Sequence, residues 1–295
     1  MRSLARQIPT TIWTALFALT LTMLAGGVWN GLLVANLTTN PTIPWAVVLM
    51  GLLLWLMWQY LGGRWWPRST SETRRHLLRA RPVTALVFAW ALAAGGLSIL
   101  SLTGFWIVLF QLVEVRGNPL PDFSQYPILT VALVIGMASL VAATAEEAGF
   151  RGYLQGVLEE RVGGPLAILI AALVMEPGHG STQGFAWPTM LFYLLVDVMF
   201  GTVAYLTKSI LPGICIHTTG LIIFFSLVWP NDPTRRLVRT SGPDTWFWMH
   251  VAQTIIFAVL AILVFNRLGS LANRKAAELL SNGSDPLRDG TRRPL

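Results

Sequence analysis

Two adjacent carboxylates, Glu146 and Glu147, close an apolar run that begins after Pro127 (ILTVALVIGMASLVAATA), and Arg151 follows four residues after the second. Two histidines come later, His179 in Met175-Glu176-Pro177-Gly178-His179 and His217 in Gly213-ICI-His217-TTGL. Ionisable groups within a membrane-spanning segment are costly to place, and they point to function by default. On a helix Glu147 and Arg151 are i,i+4 neighbours that can pair, whereas Glu146 points about 100° away. Neutralising one carboxylate while the other stays free is what a general base in a low-dielectric site requires. Glu146 is therefore the candidate base, with Glu147 held by Arg151.

Register links the first two stations. Val162-Gly163-Gly164-Pro165 is a turn signal. Counting from Gly163, Glu146 lies 17 residues back and His179 lies 16 forward. In an antiparallel helical hairpin rising about 1.5 Å per residue, both then sit at nearly one height. A carboxylate facing an imidazole can share a water, one taking its proton and the other orienting it or protonating the leaving amine. His217 follows the Lys208-Ser209 turn and can supply a third ligand or an oxyanion donor. Asp197, in Leu194-LV-Asp197-VMF-Gly201, is a further intramembrane charge that serves either packing or the site. Pro177 and its flanking glycines are expected to break the helix, which membrane depth tolerates only against protein or a water-filled cavity.

The elements that must hold these groups are membrane helices. Only 12% of the 295 residues are charged, 54% are hydrophobic, and mean hydropathy is +0.59. Soluble domains average about 25% charged, so the composition specifies an all-α polytopic membrane bundle. Spans are expected at 11–36, 43–62, 83–112, 127–146, 165–178, 187–206, 210–229 and 246–266, about eight around a polar cavity. The first is expected to be an uncleaved span, because its apolar run is too long for a signal peptide. Residues 1–269 read as one membrane domain, and 270–295, rich in Gly, Ser, Asp and Arg, as a disordered cytoplasmic tail. The net charge of +7 comes from loops and tails rather than one helical face, so nucleic acid is not implied. The arginines of loop 64–82 mark it as cytoplasmic, which puts both termini inside. Arg235, Arg236 and Arg239 fall on the outer side against this rule. A lone cysteine, Cys215, excludes an internal disulfide and a Cys-rich zinc site.

Blander roles suit other residues. Glu159-Glu160-Arg161 reads as a solvated helix end, and Glu147–Arg151 taken alone as a structural pair. His76 and His250 fall at membrane boundaries, and Trp65-Trp66 with Trp246 and Trp248 read as interfacial anchors.

Glu-Glu-x-x-x-Arg, a later His in the Pro177 segment and a His in the penultimate span together resemble the CAAX protease and bacteriocin-processing family. Its members include the Ras-converting CAAX prenyl endopeptidases, and the likeness covers about 127–225. The family patterns as EExxxR, FxxxH and HxxxN or HxxxD. Here the first is intact, Met175 replaces Phe in the second, and Leu221 replaces the amide or carboxylate of the third. The resemblance implies that Glu146 activates water with His179 as its partner, that His217 belongs to the oxyanion site, and that Arg151 holds Glu147. It implies no cofactor, although Glu146, His179 and His217 could also compose a two-histidine, one-carboxylate zinc site. The expected activity is an intramembrane endopeptidase acting on a membrane-associated peptide or protein, prenylated or of leader type, in the lipid bilayer. The resemblance implies a bacterial-type inner membrane. Rival readings are a non-catalytic membrane protein of the same fold, in immunity or as a scaffold, and a secondary transporter. Leu221 favours the first rival. The second would build its binding site at the Pro177 segment, but no inverted repeat is visible.

Overall fold

The computed structural model describes residues 4–114, 123–230 and 235–283. Among them every regular element is helical. The chain runs α1 (Leu4–Thr39), α2 (Ala46–Leu61), a short α3 (Ser71–Leu78) and α4 (Ala85–Leu112). Then α5 (Ile128–Glu146), a π-helical stretch (Glu147–Leu154) and α6 (Gln155–Val162) form one uninterrupted rod. After it come α7 (Gly164–Gln183), α8 (Trp187–Thr207), α9 (Leu211–Ile223), α10 (Val238–Ser241) and α11 (Thr245–Gly283).

A helix exists for each of the eight expected spans, but six are long and apolar enough to cross a membrane by themselves. The two others are α2, only 16 residues long, and α7, whose last turns carry Glu176, Pro177 and His179. The α5–α6 rod counts as one span of 35 residues, so the glutamate pair lies well inside it rather than at its end. Large apolar side chains, among them Trp13, Met23, Val48, Ile255 and Leu263, are exposed on α1, α2 and α11. Such a belt is stable only against lipid, and the protein is integral to a membrane.

Two expectations give way here. Pro177 lies inside a continuous helix. Proline removes one N–H from the ladder, but in apolar surroundings the remaining backbone groups have no water to turn to, and staying helical satisfies them. At the other end, α11 runs on to Gly283, past residue 270 where a disordered tail was expected. The rest of that tail, 284–295, lies outside the described residues.

The rod is central. Its α5 part packs on α1, α2 and α9, and its π-helical part on α1 and α3. Close approach there requires a glycine: a Cβ at Gly152 would sit 2.9 Å from the carbonyl oxygen of Leu78. The Tyr153 hydroxyl donates to the Leu61 carbonyl at 3.1 Å, tying the rod to the end of α2. The turn at Gly163, with φ 81°, reverses the chain into α7 where the sequence signalled it.

Glu159 is no solvated helix end. Arg79 donates to both of its carboxylate oxygens at 2.9 and 3.2 Å, and Lys208 approaches at 3.0 Å. Arg79 also donates to the carbonyls of Arg151 and Ala204, so one guanidinium joins the segment after α3 to the rod and α8. His250 is buried against the protein, with its Nδ1 2.8 Å from Gln253. The arginines that break the basic-loop pattern are tied down, Arg239 to Glu114 at 2.7 Å and Arg235 to the Val228 carbonyl. Removing Arg79 takes the guanidinium from a largely buried carboxylate and from two carbonyl acceptors. Arg79→Gln should cost about 3 kcal/mol of stability, read as a lowered midpoint in thermal unfolding of the detergent-solubilised protein. Arg79→Gln with Glu159→Gln should cost less than the sum of the two single changes.

Candidate functional site

The site begins where α5 becomes π-helical. Glu146 ends α5, Glu147 opens the wider i→i+5 coil, and every residue from Glu147 to Leu154 is buried. Such stretches occur often at functional sites. From here a line of six ionisable side chains crosses the bundle through α8 and α9 to α7.

His217 on α9 stands between the glutamates, its Nε2 3.4 Å from Glu146 Oε2 and its Nδ1 3.1 Å from Glu147 Oε1. The same Glu147 oxygen also faces Arg151, Nε to Oε1 at 3.7 Å. Arg151 makes its close bond elsewhere: Nη2 donates to Asp197 Oδ1 at 2.5 Å and to the Asp197 carbonyl at 3.3 Å. The second Asp197 oxygen lies 3.3 Å from His179 Nε2, out of line for a hydrogen bond. The order is Glu146, His217, Glu147, Arg151, Asp197, His179. Phe200 packs beneath this line, stacked on His217 at 4.2 Å and under the Arg151 guanidinium at 5.5 Å. Tyr193 stacks on His179 at 4.1 Å.

Burial divides the six. The side chains of Glu147, Arg151 and Asp197 are 0, 2 and 1% exposed, whereas the two ends, Glu146 and His179, are 17 and 16% exposed. The ends are the groups a substrate or water can reach. Several polar atoms along the line lack a hydrogen-bond partner from the protein: Glu147 Oε2, Asp197 Oδ2, His179 Nε2 and both oxygens of Glu176, which lies on α7. Buried polar atoms rarely stay unpaired, which sets this line apart from the packed core around it.

The five sequence candidates thus lie in one contiguous network, with two differences from expectation. His179 pairs with Asp197 rather than Glu146, and the imidazole beside Glu146 is His217. Glu147 is shared between His217 and Arg151 rather than turned to Arg151 alone. Asp197 is the member the sequence reading left undecided, and its signal was simply an aspartate inside an apolar helix. The methionine in the phenylalanine position also has a contact, since Arg151 Nη1 lies 3.3 Å from the Met175 sulfur. Of the threonines near Leu221, Thr219 donates to the Cys215 carbonyl, whereas the Thr218 hydroxyl is buried without a partner. Among the described residues no three of His, Cys, Asp and Glu gather to hold a metal ion, so the zinc alternative finds no preformed ligand set.

An all-α membrane protein with a buried carboxylate–imidazole–guanidinium line is the class these observations define. Residues 128–223, about a third of the chain, match the family model of the Rce1-like type II CAAX prenyl endopeptidases. That segment contains α5 to α9 and all six groups, and over it the CAAX protease family assignment read from the motifs is borne out. No curated protein and no solved structure matches the chain.

Gly213, one turn before His217, makes room for the buried carboxylate, because a Cβ there would sit 2.5 Å from Glu147 Oε2. Gly213→Ala should therefore push Glu147 off His217 and cost about 1–3 kcal/mol, measured as loss of thermal stability. Gly178→Ala, where a Cβ meets nothing within 4 Å, should leave stability nearly unchanged.

Proposed function

We propose that this protein is an intramembrane endopeptidase that hydrolyses a peptide bond of a membrane-associated substrate with water activated by Glu146. The observation that carries this reading is the position of Glu146. It is a partly exposed carboxylate at the end of a buried line, beside an imidazole whose far nitrogen is held by a second carboxylate. With a proton on Nδ1 facing Glu147, a neutral His217 presents a lone pair on Nε2 toward Glu146. A water at that junction can give one hydrogen bond to each.

In the proposed step, Glu146 takes a proton from this water as its oxygen attacks the scissile carbonyl carbon. The carbonyl electrons move to oxygen, forming a tetrahedral oxyanion. Collapse breaks the C–N bond, and the proton held by Glu146 or His217 passes to the leaving amine. Glu147 holds His217 in the required tautomer and orientation. His179, held by Asp197 at the other exposed end, donates to the substrate. This exchanges the roles that the family resemblance gave to the two histidines, since His217 rather than His179 lies beside the base. A prenylated CAAX-type peptide, the substrate in the matched family's name, is the first to try, and a leader-type peptide the second.

The test is cleavage of such peptides by purified protein in lipid nanodiscs, with the new amino terminus read by mass spectrometry. Glu146→Gln and His217→Ala should each abolish cleavage, and the double variant should be no worse than either, because groups acting on one water are strongly non-additive. Cleavage that survives both changes puts the base elsewhere, with Glu176 the first suspect.

Leu221 favours a second reading, a membrane protein of this fold without catalysis. One turn beyond His217, an amide at this position could donate to the oxyanion, and a missing donor costs about 2.7–4 kcal/mol of transition-state stabilisation. Leu221→Asn should therefore raise the cleavage rate while substrate affinity stays nearly constant. If Thr218 already supplies the donor, that change should do little, and Thr218→Val should slow cleavage instead. A wild type and Leu221→Asn variant both inactive on every membrane peptide would replace the enzymatic reading with the non-catalytic one.

A further inference from the structure

Away from the charged line, two cavities adjoin along α2. One, of about 600 Å³, is lined by Arg64, Arg68, Arg75 and Glu72 at the end of α2, with Trp58 and Gly62 on its wall. The other, of about 580 Å³, is apolar and is lined by Gly51, Leu54, Trp55, Trp58 and Phe88, among others. Trp58 belongs to both. Gly51, Leu54, Trp55, Trp58 and Gly62 recur every three or four residues, so one face of α2 runs from the apolar groove into the basic cavity.

The basic end is built, not a loose charged loop. Arg74, 5% exposed, lies over the Tyr60 ring and donates to the carbonyls of Trp65 and Pro67 at 2.6 and 3.0 Å. The Ser71 hydroxyl closes on the Gly63 carbonyl. This folding fixes the chain from Gly63 to Arg75, while Arg64, Arg68 and Arg75 stay exposed, with no ion pair among the described residues. Three guanidinium groups against one carboxylate make an anion site, and guanidinium favours the forked geometry that phosphate oxygens accept. Trp65 and Trp66, 49 and 77% exposed, stand beside it as side chains that settle at headgroup level.

Length identifies the occupant. From Gly51 to Gly62 the helix rises about 16 Å, close to half of a hydrocarbon core about 30 Å thick. One leaflet's acyl chain fits that reach, with its phosphate arriving at the arginines. We propose that this composite site binds one anionic phospholipid, its phosphate on Arg64, Arg68 and Arg75 and an acyl chain along α2 in the groove. Basic cavities between membrane helices hold such headgroups in general. The groove also touches Thr144, Leu211, Ile214 and Cys215, one turn from Glu147 and His217, so the lipid lies against the helices that carry the site. The inference does not rest on the peptidase reading.

Native mass spectrometry of the full chain tests it, with dioleoyl phosphatidylglycerol against dioleoyl phosphatidylcholine. The wild type should retain phosphatidylglycerol at least tenfold more strongly. The Arg64→Gln/Arg68→Gln/Arg75→Gln triple variant should lose that preference. Gly51→Leu should weaken retention by filling the groove, where an added Cβ meets only the Met137 methyl at 3.9 Å. If the triple variant does not fold, Arg68→Gln alone and Gly51→Leu carry the same comparison. Equal retention of both lipids, or unchanged preference in the folded variants, overturns the proposal. So does equal protection by inorganic phosphate, which makes the arginines a free-anion site. Displacement of phosphatidylglycerol by a farnesylated peptide overturns it as well, because the groove then belongs to substrate.

Discussion

Everything in the centre of this bundle depends on one guanidinium held between two carboxylates. Arg151 is fully enclosed, with Asp197 at 2.5 Å and Glu147 at 3.7 Å. Taking a charge out of water costs several kcal/mol, which attraction offsets only with good geometry and further hydrogen bonds. Arg151 meets that condition through the Asp197 carbonyl and the Met175 sulfur. One cation cannot balance two anions, so Glu147 and Asp197 each need a second donor. His217 is that donor for Glu147, at 3.1 Å, and His179 stands beside Asp197 at 3.3 Å as a charge neighbour, out of line for a hydrogen bond. The positions of both imidazoles thus follow from the charge arithmetic around Arg151, and the helices bearing them are fixed by the same contacts.

This arrangement separates rigidity from access. The middle of the line is sealed, and the two ends are open enough to meet a substrate. A catalytic group must be held by something that does not itself react. Here Glu147 holds His217 and Asp197 lies against His179, while Glu146 approaches His217 at 3.4 Å. Phe200 reinforces the separation by stacking on His217 and lying under Arg151. A single aromatic ring thus keeps the imidazole upright and water away from the guanidinium.

How much of this was legible in the sequence follows from what each signal depends on. Helices and the turn at Gly163 are local, set by apolar length and by a residue that accepts positive φ; a helix stands at each expected span, although six of the eight are long and apolar enough to cross a membrane. Glu146, Glu147, Arg151, His179 and His217 were legible as charges where charges are costly. Pairing was not, because it depends on how four separate helical segments rotate against each other. Equal height in a hairpin put Glu146 and His179 together, but height fixes only one coordinate. The π-helical coil after Glu146 changes the angular register of everything beyond it, and no residue pattern announced it. Pro177 misled for a related reason: in water it would end a helix, whereas the apolar packing of α7 keeps the helix whole. Glu159 was judged solvated because its partner, Arg79, lies 80 residues away in sequence.

The shortness of α2 has a mechanical meaning for the bilayer. Sixteen residues span about 24 Å, some 6 Å less than a hydrocarbon core of about 30 Å. Lipid meets a short helix by thinning, at a modest cost per ångström. A bilayer thinned to match α2 would be thinnest beside its exposed face, where Val48, Leu52 and Trp55 lie. Thinning there would bring bulk water and headgroups nearer to Glu146, midway along the rod. Polar groups held at membrane depth meet water only where a path to it is short, and an undersized helix shortens that path.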